Sequence, residues 1–126
     1  MYKLIGIVGE DLSELMRLAA GLDRVALSTY VRQNEKPFQS LLESPMAESE
    51  ICIVPVVNWC NAADLRALFA CHPTTRFLFL AAEFPPAPAI ARIVDELKGV
   101  ILRRNESSVV VAATLLAMLA SEKGAA

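Results

Sequence analysis

Four short apolar runs, rich in β-branched or aromatic residues, recur along this chain: KLIGIV (3–8), ICIVPVV (51–57), RFLFLA (76–81) and GVIL (99–102). A strand with one face in water alternates polar and apolar residues. Runs that are apolar at nearly every position read instead as strands covered on both faces. A weaker fifth run is RVALSTYV (24–31). The intervals between the runs carry helical spacing. Leu12, Leu15, Met16 and Ala19 mark a first helix, with Asp11 as its cap, Glu14 placed for a capping box and Gly21 as its stop. Phe38, Leu41 and Leu42 mark a short second helix that Pro45 should end. A third is capped by Asn61 and carries the stripe Leu65, Leu68, Phe69. A fourth opens near PPAP (85–88), carries Ile90, Ile93, Val94 and Leu97, and stops at Gly99. A fifth runs from about Ser107 to Ser121.

Strict β-α alternation of this kind implies a parallel sheet with helices on both faces. Right-handed crossovers leave few topologies. At 126 residues the expectation is one α/β domain, a flavodoxin-like (βα)5 doubly wound sheet of strand order 2-1-3-4-5. It should span residues 1–121, with 122–126 a tail or the start of a linker.

Composition narrows the function. The formal net charge is −2, with no basic excess to hold a nucleic-acid backbone. No apolar run is long enough to span a bilayer. Three cysteines, Cys52, Cys60 and Cys71, suggest free thiols in a reducing cytoplasm. His72 is the only histidine, so its pairing with Cys71 is no metal site. Neither a metal nor a cofactor is expected.

A doubly wound sheet binds ligands beyond the carboxyl ends of its strands, where the strand order reverses. The turn IVGEDLSE lacks the glycine spacing and the lysine of a phosphate-binding loop, and its carboxylates would repel phosphate. No serine or cysteine has a base partner, and Cys60 reads as an ordinary loop thiol.

The order of elements, IGIVGEDLSEL at the start and GVILRRNESSVVVAATLLAML at the end resemble the receiver domain of bacterial response regulators. The resemblance covers almost the whole chain and implies specific positions. A phosphoacceptor aspartate would end strand 3, where Pro55 stands, or Val56 or Val57 one or two residues on. An acidic pair would follow strand 1, where Gly9 and Glu10 stand, with Asp11 beside them. The threonine position falls on Ala81 and the lysine position on Arg103. The resemblance therefore implies a degenerate receiver, without phosphorelay chemistry. Glu10 and Arg103 could pair across the vacated site. Arg104 reads as a solvated charge, or with Arg103 and Asn105 as an anion contact. Trp59, the only tryptophan, reads equally as a plug or as a partner anchor.

From Val109 to Ala120 the fifth helix has one polar residue, Thr114. A helix lying on a sheet should be polar outside, so an apolar outer face suggests burial against another chain. In receivers, helix 4, strand 5 and helix 5 form a common dimer face. The resemblance implies an interface of Ile90, Val94, Val109, Val110, Ala113, Leu116 and Ala117. The expectation is a non-enzymatic regulatory module acting as a homodimer, or on another protein or a covalently linked output domain. The alternative is a small-ligand sensor or flavodoxin-like enzyme using a pocket around Glu10, Trp59 and Arg103.

Overall fold

Every element expected from the alternation forms. The computed structural model describes residues 4–43 and 50–124. Strands β1 (Leu4–Gly9), β2 (Ser28–Gln33), β3 (Ile51–Val56), β4 (Arg76–Ala81) and β5 (Val100–Arg103) alternate with helices α1 (Leu12–Asp23), α2 (Pro37–Glu43), α3 (Ala62–Cys71), α4 (Pro88–Glu96) and α5 (Ser108–Gly124). All strand pairings are parallel, and the order is β2-β1-β3-β4-β5. The expected flavodoxin-like topology holds. Helix α5 continues to Gly124, past the Ser121 boundary drawn from sequence. Pro45, expected to end α2, lies outside the described residues.

The sheet separates two cores because successive strand side chains point to opposite faces. Ile5, Ile7, Ile51, Ile53, Leu78 and Leu80 pack with α1 and α5. Cys52, Val54, Val56, Phe77 and Phe79 pack with the α2–α4 side. Phe77 and Phe79 are wholly buried and stack at 5.7 Å. Each contributes on the order of 2–3 kcal/mol through burial.

Two helix signals read differently in three dimensions. Gly21 and Gly99 were expected as stops, yet neither has a positive φ. Ala26 (φ 62°) and Lys98 (φ 60°) take the left-handed positions instead. After each, an N–H reaches back five residues: Leu27 to the Leu22 carbonyl at 3.2 Å, and Gly99 to the Val94 carbonyl at 2.8 Å. This closes the helix end in the Schellman manner. The glycines supply room: a Cβ at Gly21 would lie 2.9 Å from Ser108 Cβ, and one at Gly99 2.8 Å from Val94 Cγ1. The buried face of α1 is also turned. Glu14, Leu15, Leu18 and Leu22 point inward, whereas Leu12 and Met16 are about half exposed.

Candidate functional site

The carboxyl edge of the sheet gathers the positions singled out in the sequence. Gly9, Ala81 and Arg103 end β1, β4 and β5, and Pro55 is the penultimate residue of β3. Register places Val56 beside Ala81 and Ala81 beside Arg103.

Pro55 shapes the centre of this edge. The Ala82 N–H donates to the Val56 carbonyl at 2.9 Å, so Val56 directs its main chain to β4. Its neighbour Pro55 directs its own to β1, as parallel pairing requires. Proline has no N–H to offer there. The β1–β3 register accordingly stops at Ile7–Ile53, while β3–β4 continues to Val56–Ala81. The buried ring of Pro55 fills the gap. A Cβ on Gly9 would meet Pro55 Cδ at 3.2 Å and Leu15 Cδ2 at 2.9 Å. Neither Pro55 nor Val56 nor Val57 carries an oxygen nucleophile in its side chain.

Asp11 is the N-cap of α1, accepting from the Ser13 N–H at 3.0 Å and the Glu14 N–H at 3.4 Å. Glu14 does not complete a capping box. Its carboxylate turns inward to Arg104, with Nε to Oε2 at 3.0 Å and Nη2 to Oε1 at 2.9 Å. The side chains are 8% and 28% exposed respectively. The hydrogen bonds that Arg104 donates to Glu14, opposed by partial burial, hold its guanidinium above the usual pKa, with the carboxylates of Glu14, Glu10 and Asp11 adding attraction. So the expected Glu10–Arg103 pair is replaced by Glu14–Arg104. Arg104 is an anchored cation, not a solvated one. Arg103 instead lies over the Phe84 ring, its guanidinium carbon 5.2 Å from the centroid. Glu10 is exposed and offers its carbonyl to Gln33 Nε2 at 2.9 Å. Glu14 is the site residue that sequence reading missed. Leu18 and Leu22, four and eight residues on, were the signal that it shares the inward face.

Trp59 is half-buried, edge-on to Phe79 at 5.2 Å and 6.1 Å from Phe38. Its Nε1 is buried without a hydrogen-bond partner. It lines a crevice of about 390 Å³ with Glu10, Phe38, Val57 and Asn58. Arg103 is absent from that crevice; it lines a separate concavity of about 550 Å³. The pocket of Glu10, Trp59 and Arg103 drawn from sequence is therefore divided. Burial raises the Cys60 thiol, and Asp64 adds to the effect, giving about 11. That environment opposes thiolate chemistry. His72 caps the far end of α3, its Nε2 3.1 Å from the Leu41 carbonyl, away from the carboxyl edge. No group of three or more potential ligands able to hold a metal occurs among the described residues.

The proposed interface divides too. Ile90 and Val94 are buried, packed toward the sheet, and cannot meet a partner. The amphipathic period of α4 spends them on the core, and its outer face shows Arg92, Asp95 and Glu96. The α5 residues behave otherwise. Val109 is 75% exposed, Leu116 47% and Val110 39%, and Ala113, Ala117 and Ala120 are exposed beside them. Thr114 turns its hydroxyl back to the Val110 carbonyl at 2.8 Å, removing the one polar group from competition. No helix among the described residues is long and apolar enough to cross a membrane.

No protein-family model matches the chain, and no curated protein matches it. Its fold is shared with solved receiver domains. The receiver domain protein (CheY-like) of Methanospirillum hungatei JF-1 superposes with TM-score 0.77 at 8% identity, covering 100% of both chains. The signal receiver domain of an HD domain-containing protein from Pseudomonas fluorescens Pf-5 gives 0.74 at 17% identity, covering 98% of this chain and 99% of that one. A Burkholderia thailandensis E264 protein named for pilus assembly (cpaE) gives 0.72 at 17% identity, covering 94% of this chain and 98% of that one. The fold is thus that of a response-regulator receiver domain.

Proposed function

We propose that this chain is a phosphorylation-independent receiver-like module. It is a non-enzymatic, cytoplasmic regulatory domain that acts by protein contact, associating with a second copy of itself. The observation that carries this reading is the outer face of α5. Val109, Val110, Ala113, Leu116 and Ala117 present apolar surface where a helix covering a sheet should be polar. A two-fold contact brings such a face against its own copy. Pro55 supports the other half of the reading. A buried proline one residue before the end of β3 supplies no acceptor for a phosphoryl group at that position. The module fits a larger signalling or transcriptional regulator in which a linked domain gives the output.

Sedimentation equilibrium over a wide concentration range, wild type beside Val110→Asp, tests association. Val110 lies in the first turn of α5, where an acidic residue suits the helix dipole, so loss of the dimer there reports on the face and not on folding. A wild-type monomer at every concentration removes the homodimer. Incubation with a small phosphodonor should leave the mass of the protein unchanged. A stable phosphoryl adduct would remove phosphorylation independence.

A further inference from the structure

The residues that α5 exposes between Val109 and Ala120 are ordered by size. Val109, Ala113, Leu116 and Ala120 follow at intervals of four, three and four residues, the spacing by which one helix seats against another. Val110 and Ala117 flank that line, each one residue from a member of it. Along the line large and small alternate: valine, alanine, leucine, alanine, with a further valine and alanine beside them. None of these residues is charged. The other side of α5 is spent on the core through Val111, Ala112, Leu115, Met118 and Leu119. Nothing in a helix that merely covers a sheet calls for such an order on its outer side.

We infer that two copies of this chain pair α5 against α5 in antiparallel orientation, in the register that sets Val109 against the partner's Ala120 and Leu116 against the partner's Ala113. The inference rests on the self-association proposed above and fixes its geometry. The same register lays Val110 beside the partner's Ala117. Every large side chain then meets a small one, and the two-fold axis repeats each contact. A parallel pair would set like against like. Leucine on leucine would hold the helices apart, and the alanine layers on either side would be left underfilled. Antiparallel pairing also places the amino end of each helix beside the carboxyl end of the other, where their dipoles attract; parallel pairing sets like ends together. An acidic or basic partner finds no counter-charge on the stripe, whereas a second stripe matches it. One helix pair lies at the low end of interface sizes, so the dissociation constant should be micromolar and not nanomolar.

Thiol cross-linking reads the register. In a background of Cys60→Ser and Cys71→Ser, with Cys52 buried, Val109→Cys and Ala120→Cys chains are treated with the short reagent bis-maleimidoethane, singly and mixed. One of the two carries an affinity tag, and the concentration is one at which the wild type sediments as a dimer. The mixture should yield a cross-linked heterodimer. Neither variant alone should, because antiparallel pairing puts each introduced thiol about 16 Å of helix from its own copy. Linking of Val109→Cys to itself, or no linking in the mixture, would overturn the register and leave self-association standing. A wild-type monomer at every concentration would instead remove the association on which the register rests. Ala113→Leu should weaken the dimer about tenfold or more by overfilling the layer it shares with Leu116. Adding Leu116→Ala exchanges the large and small positions and should return the dissociation constant to within about threefold of wild type. Both positions are exposed, and an unchanged urea midpoint reports that the variants are folded. Undiminished association of folded Ala113→Leu, or no recovery in the exchanged variant, would overturn the inference.

Discussion

Removing the Arg104 guanidinium should cost more than an ordinary surface ion pair, and the structure says how much. Two charge-assisted hydrogen bonds, 2.9 and 3.0 Å, hold a carboxylate whose side chain is 8% exposed. Breaking a fully buried pair from one side costs about 3–5 kcal/mol, because the other charge is stranded. Arg104 is 28% exposed, so water reaches the pair from one side. Arg104→Met should therefore lose about 2–3 kcal/mol. Glu14→Gln keeps the shape and strands no anion, and should lose about 1 kcal/mol. In the double variant no carboxylate remains to be stranded, and its loss should fall short of the two single losses combined by about 1.5 kcal/mol. Urea denaturation of the four proteins, at low and moderate salt, measures this coupling. A coupling below about 0.5 kcal/mol, or one abolished by moderate salt, would mean that the pair behaves as a solvated surface contact. Glu14 would then not be what fixes Arg104.

Three further outcomes are expected. Ala26→Gly and Lys98→Gly relieve left-handed conformations at φ 62° and 60° and should each stabilise by about 0.5–1 kcal/mol, read as a raised thermal midpoint; an unchanged midpoint would contradict the helix-end assignment. Burial pushes the Cys52 thiol up to about 12 from an ordinary 9.0, against the lowering influence of Arg32. A raised folded pKa gives stability that is complete below the unfolded pKa and fades above it. The unfolding free energy from urea titration should thus fall once pH exceeds about 9, at up to about 1.4 kcal/mol per pH unit from this thiol, and Cys52→Val should flatten the decline. Exposed Cys71 should react with a thiol reagent at once, and buried Cys52 only on unfolding; rapid labelling of Cys52 in the folded protein would contradict the described core.

The architecture was legible because it rests on consecutive apolar residues and on a general rule of handedness. Strand order, the Asp11 and Asn61 caps and the inward stripe of α3 all followed from local pattern. What pattern could not supply was the use of space. Gly21 and Gly99 look like stops, but their missing side chains serve close approach, and ordinary residues take the strained turns. Which of two adjacent arginines faces α1 depends on a single residue of phase at the end of β5. Sequence reading therefore paired Arg103 with Glu10, where the fold pairs Arg104 with Glu14. Ile90 and Val94 look equally suited to core or partner, and only the seating of α4 on the sheet assigns them to the core.

The two interiors on either side of the sheet have a consequence for how such a chain can change. The side chains behind α1 and α5 belong to one cluster and those behind α2, α3 and α4 to another, with the strand backbones as a partition between them. Substitutions on opposite sides share no packing partner, so their effects on stability should add. One half can therefore be rebuilt while the other stays fixed. The crevice beside Trp59 sits in one compartment, and the apolar helix with the anchored arginine in the other. A lineage could remodel the first for new chemistry without disturbing the apolar surface that the second carries.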